Sequence, residues 1–100
     1  MTKQRANYLY KFIGIIQKKY QRKSPEYSHY FYQLKVKLEN HNLTKIFAFK
    51  NKLAKESIWN ALETDSYLGK KYLFSCRNYQ GNYYLVDWEE LPLKEEESHE

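Results

Sequence analysis

One hundred residues with 42% apolar side chains are enough for one domain around one core. The 18% aromatic content, eleven Tyr included, with only 3 Gly and 2 Pro, excludes a low-complexity or generically disordered chain. The net charge of +5 hides a division: residues 1–88 carry 16 basic and 6 acidic side chains, and residues 89–100 carry 1 basic and 6 acidic. Such a basic body attracts polyanions by releasing their counterions, and no apolar run approaches the roughly 18 residues of a membrane span.

The first residues, MTKQRANYLYKFIGII, lack an apolar core followed by a small-residue cleavage site, so no secretory signal is expected. Cys76 stands alone, which excludes an internal disulfide and any CxxC metal site and agrees with a reducing compartment. The lean toward Lys, Asn, Tyr and Phe follows AT-rich codons and points to an AT-rich genome, such as that of an organelle or of certain bacteria.

Residues 8–20, YLYKFIGIIQKKY, are β-branched and aromatic and predict a long first strand, with Gly14 marking a bulge or bend. QRKSPEYS (21–28) reads as a loop. HYFYQLKVKLE (29–39) alternates: Tyr30, Tyr32, Leu34, Val36 and Leu38 point one way, and Phe31, Gln33, Lys35 and Lys37 the other. ENHN (39–42) is a turn, and TKIFAFK (44–50) a third strand. Residues 52–63, KLAKESIWNALE, carry apolar positions at helical spacing, with Asn51 as the expected N-cap. Gly69 opens a fourth strand over 70–79, QGN (80–82) turns the chain, and YYLVDWEEL (83–91) is a fifth strand completing a hairpin. Residues 92–100 are expected to be a disordered acidic tail. The resulting β-β-β-α-β-β order is that of a mainly β, five-stranded OB-fold barrel with one short helix between strands three and four, spanning residues 1–91. A long first strand bent at a glycine can pair with two neighbours and close it.

FIGII (12–16), FAFKNKLAKESIWNAL (47–62) and GKKYLFSCRNY (69–79) resemble the OB-fold single-stranded-DNA-binding and primosomal replication protein family. That family has an Ile-Gly pair in its first strand and a third strand entering the helix through a junction matched by FKNKLAK (49–55). A glycine matched by Gly69 opens its fourth strand. Length and composition are similar to small plastid- or cyanobacteria-type members. The chain departs from the pattern at Asn51, where the family has Gly, and its last residues, ESHE, lack the Pro-Phe tip by which the family's acidic tail docks partner proteins. The resemblance implies non-sequence-specific binding of single-stranded DNA in replication or primosome assembly. It covers about residues 8–90.

The residues themselves place the chemistry on the outward side of strands two and three, where OB-folds hold single strands. Phe31, Gln33, Lys35 and Lys37 should lie beside Lys45, Phe47 and Phe49, with Phe31 or Phe47 stacking a base and the lysines meeting phosphates. The opposite parity would bury Phe47 and Phe49 and turn Ile46 and Ala48 outward. Lys18, Lys19, Tyr20, Arg22 and Lys23, grouped with the loop through residue 28, form either a flexible electrostatic arm or a solvated hairpin. Arg77 and Tyr79 either meet the ligand or stiffen the last hairpin by cross-strand pairing. Trp59 and Trp88 are expected to pack in the core. The three His share no ligand spacing, and no nucleophile–base pattern or glycine-rich phosphate loop occurs, so neither a metal site nor catalysis is expected. One barrel offers a short site of roughly 4–16 nucleotides, so an oligomer is expected where binding is tight. Two other readings stay open: the same face on single-stranded RNA, and an adaptor barrel whose rings anchor a protein.

Overall fold

The structure, a computed structural model, describes residues 8–23, 25–26 and 29–93. Five strands run in the order β1 (Tyr10–Lys23), β2 (Tyr30–Leu38), β3 (Leu43–Ala48), β4 (Lys71–Tyr79) and β5 (Asn82–Leu91), and helix α1 (Glu56–Thr64) lies between β3 and β4. They close into a barrel in the spatial order β1-β2-β3-β5-β4, antiparallel except where β3 meets β5. This is the expected OB-fold arrangement.

Closure depends on the fourteen residues of β1. Their first half pairs with β4 and their second half with β2, and Gly14 belongs to both ladders, opposite Tyr72 and Leu38. A Cβ at Gly14 would stand 2.4 Å from the Lys37 carbonyl oxygen, so only glycine lets the β2 backbone come this close. The irregularity expected at Gly14 falls instead at Gln17: Ile16 opposes Val36 and Lys18 opposes Lys35, leaving Gln17 as the extra residue of a bulge. A bulge exchanges the two faces of a strand. Gly14 and Ile16 point inward before it, whereas Lys19 points inward after it and Lys18, Tyr20 and Arg22 point outward.

The loop expected over residues 21–28, with the arm grouped with it from residue 18, is corrected by the same pairing. Lys18 to Lys23 continue β1 and oppose Lys35 to Tyr30, because the alternation of β2 offers a full-length partner to a charged but extended segment. The connection shrinks to residues 24–29. Tyr27 lies outside the described residues, as does the acidic end from residue 94 on.

The core takes the inner side of each strand: Tyr32, Leu34 and Val36 from β2, Ile46 and Ala48 from β3, Tyr72, Phe74 and Cys76 from β4, and Leu85 from β5. Helix α1 closes one end with Ile58, Trp59 and Leu62. It begins four residues later than expected. Lys50–Lys52 form a single 3-10 turn, and Lys55, extended and without a side-chain cap bond, precedes the helix in place of Asn51. Ala54 N–H donates to Val86 C=O at 2.7 Å, tying this junction to β5. The β4–β5 turn is tight, with Gln80 and Gly81 at φ 55° and 86°, the left-handed pair a two-residue hairpin needs. Cys76 is fully buried, and desolvation pushes its thiol up to about 12. Trp59 is in the core as expected, and Trp88, half-buried, stacks on Tyr72 with ring centroids 4.0 Å apart.

Candidate functional site

Strand register gathers the outward residues into rows across the sheet. One row runs Tyr20, Gln33, Phe47, Tyr84, Arg77 from β1 through β2, β3 and β5 to β4. Beside it Lys18, Lys35 and Lys45 form a second row, directly opposite one another at about 4.8 Å per strand. On the other side Arg22 opposes Phe31, and beyond the lysines Lys37 opposes Ile15 and Leu43.

The rings make one cluster. Phe31 stacks on Phe49 with centroids 4.5 Å apart and planes at 13°. Phe47 lies 6.1 Å from Phe31 and 5.7 Å from Tyr84, and Phe49 lies 5.8 Å from Tyr84. All four are half-buried on the outer side of the barrel, while Ile46 and Ala48 are fully buried, so the parity that turns Phe47 outward is the one adopted. Cations border the rings. Lys45 Nζ stands 5.7 Å from the Phe47 centroid, and Tyr20 is flanked by Lys18 Nζ at 5.8 Å and the Arg22 guanidinium at 5.2 Å.

Like charges placed opposite each other in a ladder destabilise it. No carboxylate among the described residues forms an ion pair with the Lys18–Lys35–Lys45 row to offset this. Among the described residues, ion pairs involve Lys19, Lys55, Lys70 and Lys71, and none involves Lys18, Lys35, Lys37 or Lys45. Three adjacent exposed lysines therefore give this face a concentrated positive charge.

Of the thirteen candidate residues, Lys18, Tyr20, Arg22, Phe31, Gln33, Lys35, Lys37, Lys45, Phe47 and Arg77 share this face. Tyr79 lies at its edge beside the β4–β5 turn, 63% exposed, and Lys23 ends β1, exposed, at the far end. Lys19 does not join them. It points into the barrel end, where its ammonium donates to the Leu62 carbonyl at the last turn of α1 and, at 2.8 Å, to Asp65 Oδ1. It also lies 4.7 Å from the Tyr32 ring centroid. Burial pulls the Lys19 pKa down, but the Asp65 hydrogen bond, with Tyr67 and the Asp65 charge, outweighs it and leaves the pKa raised. Lys19 therefore caps a helix C-terminus, where a cation is favoured. Phe49, expected beside Phe47, joins the ring cluster, and Tyr84 was absent from the candidate set. The outward parity of β3 already signalled Phe49. Tyr84 joins only through the parallel β3–β5 pairing that puts it opposite Phe47.

Among the described residues no group of three or more His, Cys, Asp or Glu could hold a metal ion, and no helix is long and apolar enough to cross a membrane. The molecule defined by this geometry is an OB-fold barrel with a basic, ring-bearing sheet face. Comparison with family models, curated proteins and solved structures returns no match.

Proposed function

We propose that the protein binds single-stranded nucleic acid, DNA in preference to RNA, along the outer face of β1, β2, β3 and β5, without catalysis. Bases stack on Phe31, Phe47 and the rings beside them, each stack worth about 1–3 kcal/mol and tolerant of sequence. Phosphates lie along Lys18, Lys35 and Lys45. The observation that carries this reading is the three-lysine row, unpaired with any described carboxylate and adjoining four clustered rings. Duplex DNA buries its base faces and cannot use the rings, so the arrangement favours unpaired strands. The resemblance of FIGII and FKNKLAK to the single-stranded-DNA-binding and primosomal family supports a place in replication or primosome assembly, in a plastid or the cytoplasm.

The test is affinity for single- and double-stranded oligonucleotides across a salt series. Three phosphate contacts predict a log–log slope near −2 for single strands. A slope near zero, or equal affinity for duplex, overturns the proposal. Oligo-dT against oligo-U measures the DNA preference.

A further inference from the structure

Beside the ring cluster the outer face is dented by a depression of about 480 Å³, lined by Tyr20, Arg22, Gln33, Lys35, Leu43 and Lys45 among others. That volume suits one nucleobase with its sugar. Tyr20 supplies an aromatic wall, and the two lysines stand at the rim that faces the proposed phosphate path.

The centre of this depression has a fixed hydrogen-bonding polarity. Arg22 Nε donates to Gln33 Oε1 at 3.2 Å. A guanidinium only donates, so the Gln33 atom facing it must be the carbonyl oxygen, and the side chain has its N–H pair left to offer a ligand. Arg22, Lys35 and Lys45 likewise offer donors only. The hydroxyls of Tyr20 and Thr44 are the acceptors at hand. A carbonyl presented to the depression therefore meets several donors, whereas an amino group in the same place meets few acceptors.

Bases differ in the group carried at position 4 of a pyrimidine and position 6 of a purine. Guanine, thymine and uracil carry a carbonyl there, and adenine and cytosine an amino group. The two-point pairing of a carboxamide with adenine uses both its oxygen and its nitrogen. Here one of the oxygen's two lone pairs already accepts from Arg22, which leaves the amide N–H pair as the better-placed half. We propose that this depression is a subsite for one keto base (guanine, thymine or uracil), with Gln33 Nε2 donating to the ring carbonyl and Arg22 as the positioning residue that sets the amide's orientation. The inference rests on the reading of this face as a single-strand surface and adds a base preference at one position of an otherwise tolerant site.

Oligo-deoxyuridine and oligo-deoxycytidine of equal length test it, since both stack weakly and differ only at positions 3 and 4. Fluorescence anisotropy with the full chain should show oligo-dU bound about fivefold tighter, the low end of one good base contact. Gln33→Ala should bring that ratio to about one, chiefly by weakening oligo-dU binding. Arg22→Ala, which lets the amide turn over, should lower the ratio too. Gln33 is on the outer face, and a circular dichroism spectrum checks that each variant is folded. Equal binding of the two oligomers by the native chain, with normal salt dependence, overturns the keto-base subsite and leaves the proposed function standing. A ratio unchanged in Gln33→Ala does the same. Failure to bind either oligomer overturns both.

Discussion

Lys18 and Lys19 are neighbours in sequence and opposites in role, and the regions they belong to use the same two residue types in contrasting ways. At the helix-capped end of the barrel, Lys19 is surrounded by Tyr32 and Tyr67, and Tyr30 and Trp59 stack nearby with centroids 5.9 Å apart. Every charge there has a mate: Lys19 meets Asp65 and a helix carbonyl, and the Tyr30 hydroxyl donates to Glu63. That hydrogen bond to Glu63, with a further one shared with Tyr32, raises the Tyr30 pKa. On the sheet face, Lys18, Lys35 and Lys45 border a comparable set of rings and, among the described residues, form no ion pair with an acid. Lysine beside aromatics is therefore uninformative by itself. What separates the two regions is the partner: Lys19 has a carboxylate and a carbonyl within reach, and the three lysines of the face have no described carboxylate as a partner.

The contrast can be broken by mutation. Reversing two charges of the open row, Lys35→Glu with Lys45→Glu, should weaken oligonucleotide binding by roughly a hundredfold at low salt and flatten the salt slope by more than one unit, while leaving thermal stability unchanged or improved. A titration at two salt concentrations with a melting curve checks both halves. Phe47→Ala should cost about 1–3 kcal/mol of binding at all salt concentrations, because stacking is not screened as phosphate contacts are. Lys19→Met should act the other way: stability falls by about 1 kcal/mol, near 4–8 °C in Tm, and oligonucleotide affinity stays within about twofold of the native value. Loss of affinity without loss of stability in Lys19→Met would erase the distinction between the regions.

The smallest effect is in pH. The folded-state pKa of Lys19 is raised, so its contribution is complete below the ordinary lysine value of 10.5 and fades as pH climbs through the folded value. Native protein should thus lose slightly more stability than Lys19→Met in denaturant titrations above that pH. An identical alkaline decline in both would show that the ammonium contributes nothing at the helix end.

Much of this was legible in the sequence, and the gaps have specific causes. The alternation of β2 fixed which of its side chains face out, since period-two patterning leaves no second solution for Tyr32, Leu34 and Val36. The β4–β5 hairpin was legible through Gln80-Gly81. The fate of Lys19 was not, because it depends on one extra residue at Gln17, and a bulge between Ile16 and Lys18 has no compositional mark. Gly14 drew the expectation instead, although its role is close approach to Lys37. The charge density of residues 18–23 suggested a loop, yet outward lysines suit a strand whose other side is covered. Tyr84 reaches Phe47 only by a non-local parallel pairing, which no local pattern encodes. The late start of α1 reflects the 3-10 turn and the Ala54–Val86 bond, a tertiary contact prevailing over helical spacing.

Cys76 gives the barrel a built-in clock. Its sulfur sits where β4 joins both β1 and β5, opposite Tyr10 and Leu85, shielded from solvent and held as the unreactive thiol by burial. A disulfide reagent can reach it only after a seam between strands parts. Labelling kinetics in native buffer therefore time the spontaneous opening of the sheet with no probe introduced. An oligonucleotide that grips β2, β3 and β5 from outside should slow that clock in proportion to its occupancy.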